Sequence, residues 1–220
     1  DENDEIGAIK LIEKERGKIN VNYEFNQRVP IFSAINNKMF KLFDTIVNYE
    51  GFDSKIEDGF GETLLESLLY LSGSDEVSTS KEDDTLLKSM IKSILSSKTF
   101  DFNAKDLNND TAINVACEYP SEVWVVEALV SKKDIDVNVV NDFDCSAVEN
   151  CIRNKNMEAL KLLGQRPDLV IRKQAKDLAK ECGINLDEYI KPTESIFGKY
   201  VVESDAAKTE DALEYELTRA

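Results

Sequence analysis

Asp101-Phe102-Asn103 stands a few residues ahead of Thr111-Ala112-Ile113, and the same arrangement returns as Asp136-Val137-Asn138 ahead of Ser146-Ala147-Val148. The Thr and the Ser lie 35 residues apart. A fixed period in the thirties is the mark of stacked helical hairpins, in which no unit buries its apolar face alone. Such a scaffold specifies a surface rather than a reaction, so function has to be argued from the side chains it displays.

With Thr111 as reference, the equivalent positions are Val29, Thr63 and Ser146, at intervals of 34, 48 and 35. The long interval is an ordinary period plus an insertion of about 15 residues, and residues 72–84 carry it: five acids, one base and no apolar period. The plain reading of that run is a solvated loop, because lengthening a loop costs little entropy. Two sharper readings are an electrostatic lure for a basic partner and a phosphorylation segment at Ser78, Thr79 and Ser80.

Each unit switches from turn chemistry to two helical stretches. Pro30 suits a first helical position, where its missing N–H had no partner. Apolar residues at three- and four-residue steps predict helices over 38–47, 63–69, 86–95, 111–116, 123–130, 146–151 and 157–163. Residues 5–16 read as an outer helix followed by Asn20-Val21-Asn22, and residues 174–183 as an inner helix, so partial units flank the array.

On these residues the chain resembles the ankyrin-repeat family. That pattern is Asp-Val-Asn, a turn with Gly, Thr-Pro-Leu-His-x-Ala and later Val-Lys-Leu-Leu-Leu. Its best matches here are Asp101 to Asp106 with Thr111 to Ala116, and Met157 to Leu163. Gly61 takes the turn glycine's place, with Asn109 and Asp144 in later units, both types that tolerate left-handed backbone. The family's Pro survives only at Pro30, and its His is replaced by Phe32, Glu66, Asn114 and Glu149, which reads as a diverged array with weaker hairpins. The resemblance implies an all-α solenoid of about four full repeats with partial terminal caps, spanning residues 1–190, followed by an acidic tail, 191–220. It also implies a protein–protein interaction module that acts as scaffold or adaptor.

The net charge of −16 disfavours nucleic acid and anionic membranes, whose phosphates would be repelled, and favours a basic protein partner. No stretch approaches the roughly 20 apolar residues that cross a bilayer. A cytoplasmic monomer is expected, in the host cytosol if the chain is a secreted effector. With no histidine among 220 residues, Ser-His-Asp, Cys-His and zinc-hydrolase schemes are excluded. The four cysteines form no CxxC pair, and no nucleotide or calcium-loop motif is complete, so no catalytic residue, metal site or cofactor is expected. Because the chain begins at Asp without Met, the alternative is a piece of a larger protein: a targeting domain or an effector segment whose chemistry lies elsewhere.

The resemblance places the partner-binding surface on hairpin tips and inner helices. Phe60 and Phe143 both sit three residues before the reference Thr or Ser, with Leu107 and Phe25 close to equivalent positions, and Tyr119 ends an inner helix near Lys105 of the same unit. Phe60, Leu107, Phe143, Tyr119 and Lys105 are the candidate contacts. The competing reading is that the rings fold back on their own hairpins or on the neighbouring ones. For Trp124 the choice lies between an interface anchor and a plug between outer helices.

Overall fold

The computed structural model describes residues 2–24, 29–73 and 80–190, and among them every regular element is a helix. The elements are α1 (Glu2–Lys14), α2 (Pro30–Asn36), α3 (Phe40–Val47), α4 (Leu64–Gly73), α5 (Lys81–Ser96), α6 (Ala112–Glu118), α7 (Val123–Val130), α8 (Ala147–Arg153), α9 (Met157–Leu163) and α10 (Lys173–Glu181). A 3-10 turn, Pro120–Glu122, leads into α7. The pairs α2–α3, α4–α5, α6–α7 and α8–α9 are four units, while α1 packs on α3 as a lone outer helix and α10 on α8 as a lone inner one. This is the all-α solenoid with partial caps that the period predicts.

Several of these helices have only seven residues, far below the length at which a helix persists alone in water. Their stability comes from burial between neighbours. Ile113, Ala116 and Cys117 of α6 and Ala147, Val148, Cys151 and Ile152 of α8 are almost wholly enclosed. Pro30 does occupy the start of α2.

Along one edge an asparagine in each of three of the four units ties that unit to the next. Asn22 donates to Gly51 O (2.7 Å) and accepts from Asp53 N (2.9 Å). Asn103 donates to Asp134 O (2.7 Å) and accepts from Asp136 N (2.8 Å). Asn138 does the same with Asp168 O (2.9 Å) and Val170 N (2.8 Å). A primary amide suits this because one side chain carries both a donor and an acceptor. In the second unit the position is Lys55, and this rung of the ladder is missing. Ser54 Oγ accepts from Asp101 N (3.1 Å) there instead.

The acidic run departs from the loop expected of it. α4 continues to Gly73, and α5 begins at Lys81 with Ser80 as its cap, Oγ accepting from Asp83 N (3.2 Å). Glu82, Asp83 and Asp84 fill the first turn, where carboxylates oppose the positive end of the helix dipole. Lys38 pairs with Asp83, and Lys88 with Asp84 at 3.0 Å. Residues 74–79, with Ser78 and Thr79, the tail 191–220, and Phe25 lie outside the described residues. All four cysteines are free thiols, and only Cys182 is exposed.

Replacing Asn103 or Asn138 by Ala removes two inter-unit hydrogen bonds and is expected to cost about 1–2 kcal/mol each in urea unfolding. Lys55→Ala, which deletes only an exposed pair to Asp101, is expected to stay within about 0.5 kcal/mol of the parent.

Candidate functional site

The second, third and fourth units each open with a hairpin closed in the same register. Isolated bridges join Glu57 to Thr63, Lys105 to Thr111 and Val140 to Ser146. At the root of each stands a short polar side chain that accepts two backbone amides of the tip. Asp58 Oδ1 takes Phe60 N (2.8 Å) and Glu62 N (3.1 Å). Asp106 Oδ1 takes Asn108 N (2.8 Å) and Asp110 N (2.7 Å), and Asn141 Oδ1 takes Phe143 N (3.0 Å) and Cys145 N (2.9 Å). The chain then reverses through left-handed backbone at Gly61 (φ 80°), Asn109 (φ 60°) and Asp144 (φ 57°), the three positions expected to do so.

Neighbouring tips are joined by their backbones, Leu107 N to Gly61 O (3.2 Å) and Asp142 N to Asn108 O (2.9 Å). The Leu107 side chain crosses over Gly61 so closely that a Cβ at Gly61 would sit 2.1 Å from its Cδ1. Glycine suits the left-handed backbone there and leaves the space that the Leu107 side chain occupies. This stitching brings Phe60, Leu107 and Phe143 into one row on consecutive fingers. They are 87, 68 and 66 % exposed, so the Phe60 and Phe143 rings stand largely in solvent, while Leu107 leans on its neighbour's Gly61.

The two other candidate contacts are placed differently. Lys105 lies on the rising strand of its finger, exposed, at the bridge to Thr111 and away from the tip. Tyr119 caps α6, half-buried, with its ring against Gly73 at the end of α4. Burial pushes its hydroxyl up to about 12, with the charges of Glu118, Tyr70 and Glu62 adding to the effect. Tyr119 is thus part of an acidic, aromatic surface on the inner helices that reaches the finger base at Glu62.

Like charges crowd this surface. Burial, with Asp58 and Asp106 nearby, raises the Glu62 carboxyl. Burial and then Asp110 and Asp106 push Glu118 up to about 7. Among the described residues no lysine or arginine forms an ion pair with Glu62, Glu118, Asp58 or Asp106. No group of three or more Cys, Asp or Glu there is placed to hold a metal ion. Trp124 is not part of the surface. It stands half-buried against the core, under the Lys92 ammonium at 5.8 Å, which matches the plug reading.

Two residues taken as departures from the repeat pattern have a structural duty instead. Glu66 Oε2 accepts from Thr63 N (2.9 Å) and Glu149 Oε2 from Ser146 N (3.0 Å), each closing the start of its inner helix. The signal was present as Thr-x-x-Glu and Ser-x-x-Glu before an apolar run. Glu149 also meets Arg172 (3.3 Å), whereas Oε1 of the buried Glu66 has no partner.

Burial therefore pushes Glu66 up to about 8, against the opposing pull of its Thr63 contacts. A folded-state pKa above the unfolded value near 4.5 means that the protonated acid stabilises the fold below that value. This contribution is lost as pH rises through about 8. Glu66→Gln keeps the acceptor for Thr63 N without the charge. Its urea stability is expected to match the parent at pH 5 and to exceed it by on the order of 2 kcal/mol at pH 9.

No family model matches the chain, and no curated protein matches it. Among solved structures it is similar to an ankyrin repeat domain from Acinetobacter baumannii AYE, with a TM-score of 0.56 and 17 % identity over 82 % of this chain and 88 % of that one. The stacked hairpins, the left-handed finger turns and this likeness agree: the chain has the ankyrin-repeat fold.

Proposed function

We propose that this chain is a protein-binding module that grips a basic partner along its fingers and inner helices, as scaffold or adaptor, without chemistry of its own. The observation that carries the reading is the row of Phe60, Leu107 and Phe143, held out at 87, 68 and 66 % exposure by tips that are themselves tied together. A folded monomer gains nothing from displaying such side chains on its projecting turns, and contiguous exposed apolar surface marks contact sites. Because the tips are preformed, a partner meets a surface with little left to order, which lowers the entropic cost of association.

The chemistry of the partner follows from what flanks the row. Asp58, Glu62, Asp106 and Glu118 form a negative surface with no base paired to it among the described residues. Lysine or arginine side chains beside apolar ones fit that surface, with the charges guiding encounter and the apolar contacts slowing release. Tyr119 and Lys105 then act at the flanks, Tyr119 as a half-buried aromatic and Lys105 as the one base on its finger. A monomer in the cytoplasm is the setting that goes with this reading. No helix among the described residues is long and apolar enough to cross a membrane.

The test is selection from a displayed peptide library of defined sequence, followed by calorimetry of the winners at two salt concentrations. Enriched peptides are expected to combine Lys or Arg with aromatic or aliphatic residues. Phe60→Ser/Phe143→Ser, folded by circular dichroism, is expected to bind them at least tenfold more weakly, about 1.4 kcal/mol. Equal binding by the variant, or enrichment of acidic peptides, would sink the proposal.

A further inference from the structure

The four units are not joined equally, and the joint that is weak in its outer layer lies between the second, α4–α5, and the third, α6–α7, where the inner helices α4 and α6 stay packed. In the outer layer α3 packs on α5 and α7 on α9, but α5 and α7 do not pack closely. The 3-10 turn at Pro120–Glu122 leads into α7 and packs against α4. Trp124 then stands at the break, half-buried against the core, with Lys92 of α5 over its ring.

Ser72 Oγ of α4 donates to Glu122 Oε1 across this joint (3.0 Å), but the hydrogen bonding is otherwise thinner than at the next one. The asparagine rung present at Asn22, Asn103 and Asn138 is missing at Lys55. Arg166 ties the third unit to the fourth through three carbonyls, Val130 O, Lys132 O and Ile135 O, at 2.7–3.1 Å. Its counterpart at the weak joint, Lys132, reaches one, Leu95 O at 2.9 Å.

Buried polar atoms without a partner gather there too. Glu66 Oε1 on α4, Thr111 Oγ1 at the start of α6, Glu122 Oε2 in the 3-10 turn and Trp124 Nε1 on α7 all find none in the protein. Arg172 shows what this joint lacks. Standing where Thr111 stands, it reaches back to Glu149, the counterpart of Glu66. Asn114 Oδ1 is also unpartnered, but its side chain faces the fourth unit, donating to Val139 O (3.3 Å). An unsatisfied buried group is most cheaply relieved where the surfaces around it can part and admit water.

We infer that the junction between the second and third units is a hinge, across which the solenoid opens as two blocks, α1–α5 and α6–α10. The finger row spans it, with Phe60 on one block and Leu107 and Phe143 on the other. The Leu107–Gly61 contact is the clasp at the tips, so opening at the outer helices alters the curvature on which the row is carried.

Amide hydrogen exchange of the parent chain tests this without any substitution. Asp101 N, which crosses the joint away from the tips, is expected to exchange about tenfold faster than Asp136 N, which crosses the next one. Equal protection overturns the hinge. Trp124, the chain's single tryptophan, supplies a second probe: its emission is expected to shift at lower urea than the far-UV ellipticity is lost, and coincident curves count against the inference. The sequence of the other units also writes the repair. Ser54→Val/Lys55→Asn restores the Asp-Val-Asn pattern of residues 136–138, and it is expected to close both gaps, in exchange and in urea. Gaps left unchanged in that variant would show that the opening lies elsewhere.

Discussion

Burial between neighbouring hairpins is the interaction on which everything else here depends. Helices of seven residues, such as α6 and α8, have no stability of their own, and Ile113, Val148 and Leu160 are enclosed only because another unit stands beside them. Stability in such an array is a sum over joints, so a local change in one joint is felt there first. The asparagine ladder matters for the same reason. It adds little to the interior of a unit, but it fixes where the next unit sits, and the fingers inherit their alignment from that register.

The acidity of the inner surface follows in part from turn chemistry. Asp58 and Asp106 stand at finger roots because a short carboxylate can accept two tip amides at once, and each leaves a negative charge near the next finger. Asn141 does the same work without charge, which shows that the geometry does not demand an acid. The choice of Asp in two fingers, with Glu62 and Glu118 beside them, therefore builds a field that the hairpins did not need. Burial raises the carboxyls of Glu62 and Glu118 first, and the neighbouring acids add to it.

Much of this was legible in the chain because the determinants are local and repeat. The period, the Asp-Val-Asn triplets, Pro30 and the left-handed positions Gly61, Asn109 and Asp144 each act within a few residues of themselves. The start of α5 was hidden for a physical reason. Its first turn holds Glu82, Asp83 and Asp84, and their dominance of residues 81–84 leaves no apolar period to read. Glu66 and Glu149 were visible as departures from a repeat pattern, but their meaning depends on a capping geometry that a pattern does not carry. The weak joint was written at Lys55, yet it became a statement about structure only when Asn103 and Asn138 were seen to bridge units.

The finger row separates stability from function more cleanly than any other part of the molecule. Phe60 is almost wholly solvated, so its ring contributes next to nothing to holding the fold, and the tip beneath it is shaped by Asp58 and Gly61 instead. A side chain that the fold does not use, carried on a turn that the fold holds in place, is what the proposed contact surface rests on. Leu107 stands between the two cases, since it is exposed on one side and lies across Gly61 on the other. It lies both in the exposed row and over the backbone contact that joins the second and third fingers, so the same side chain takes part in packing and in the surface that is displayed.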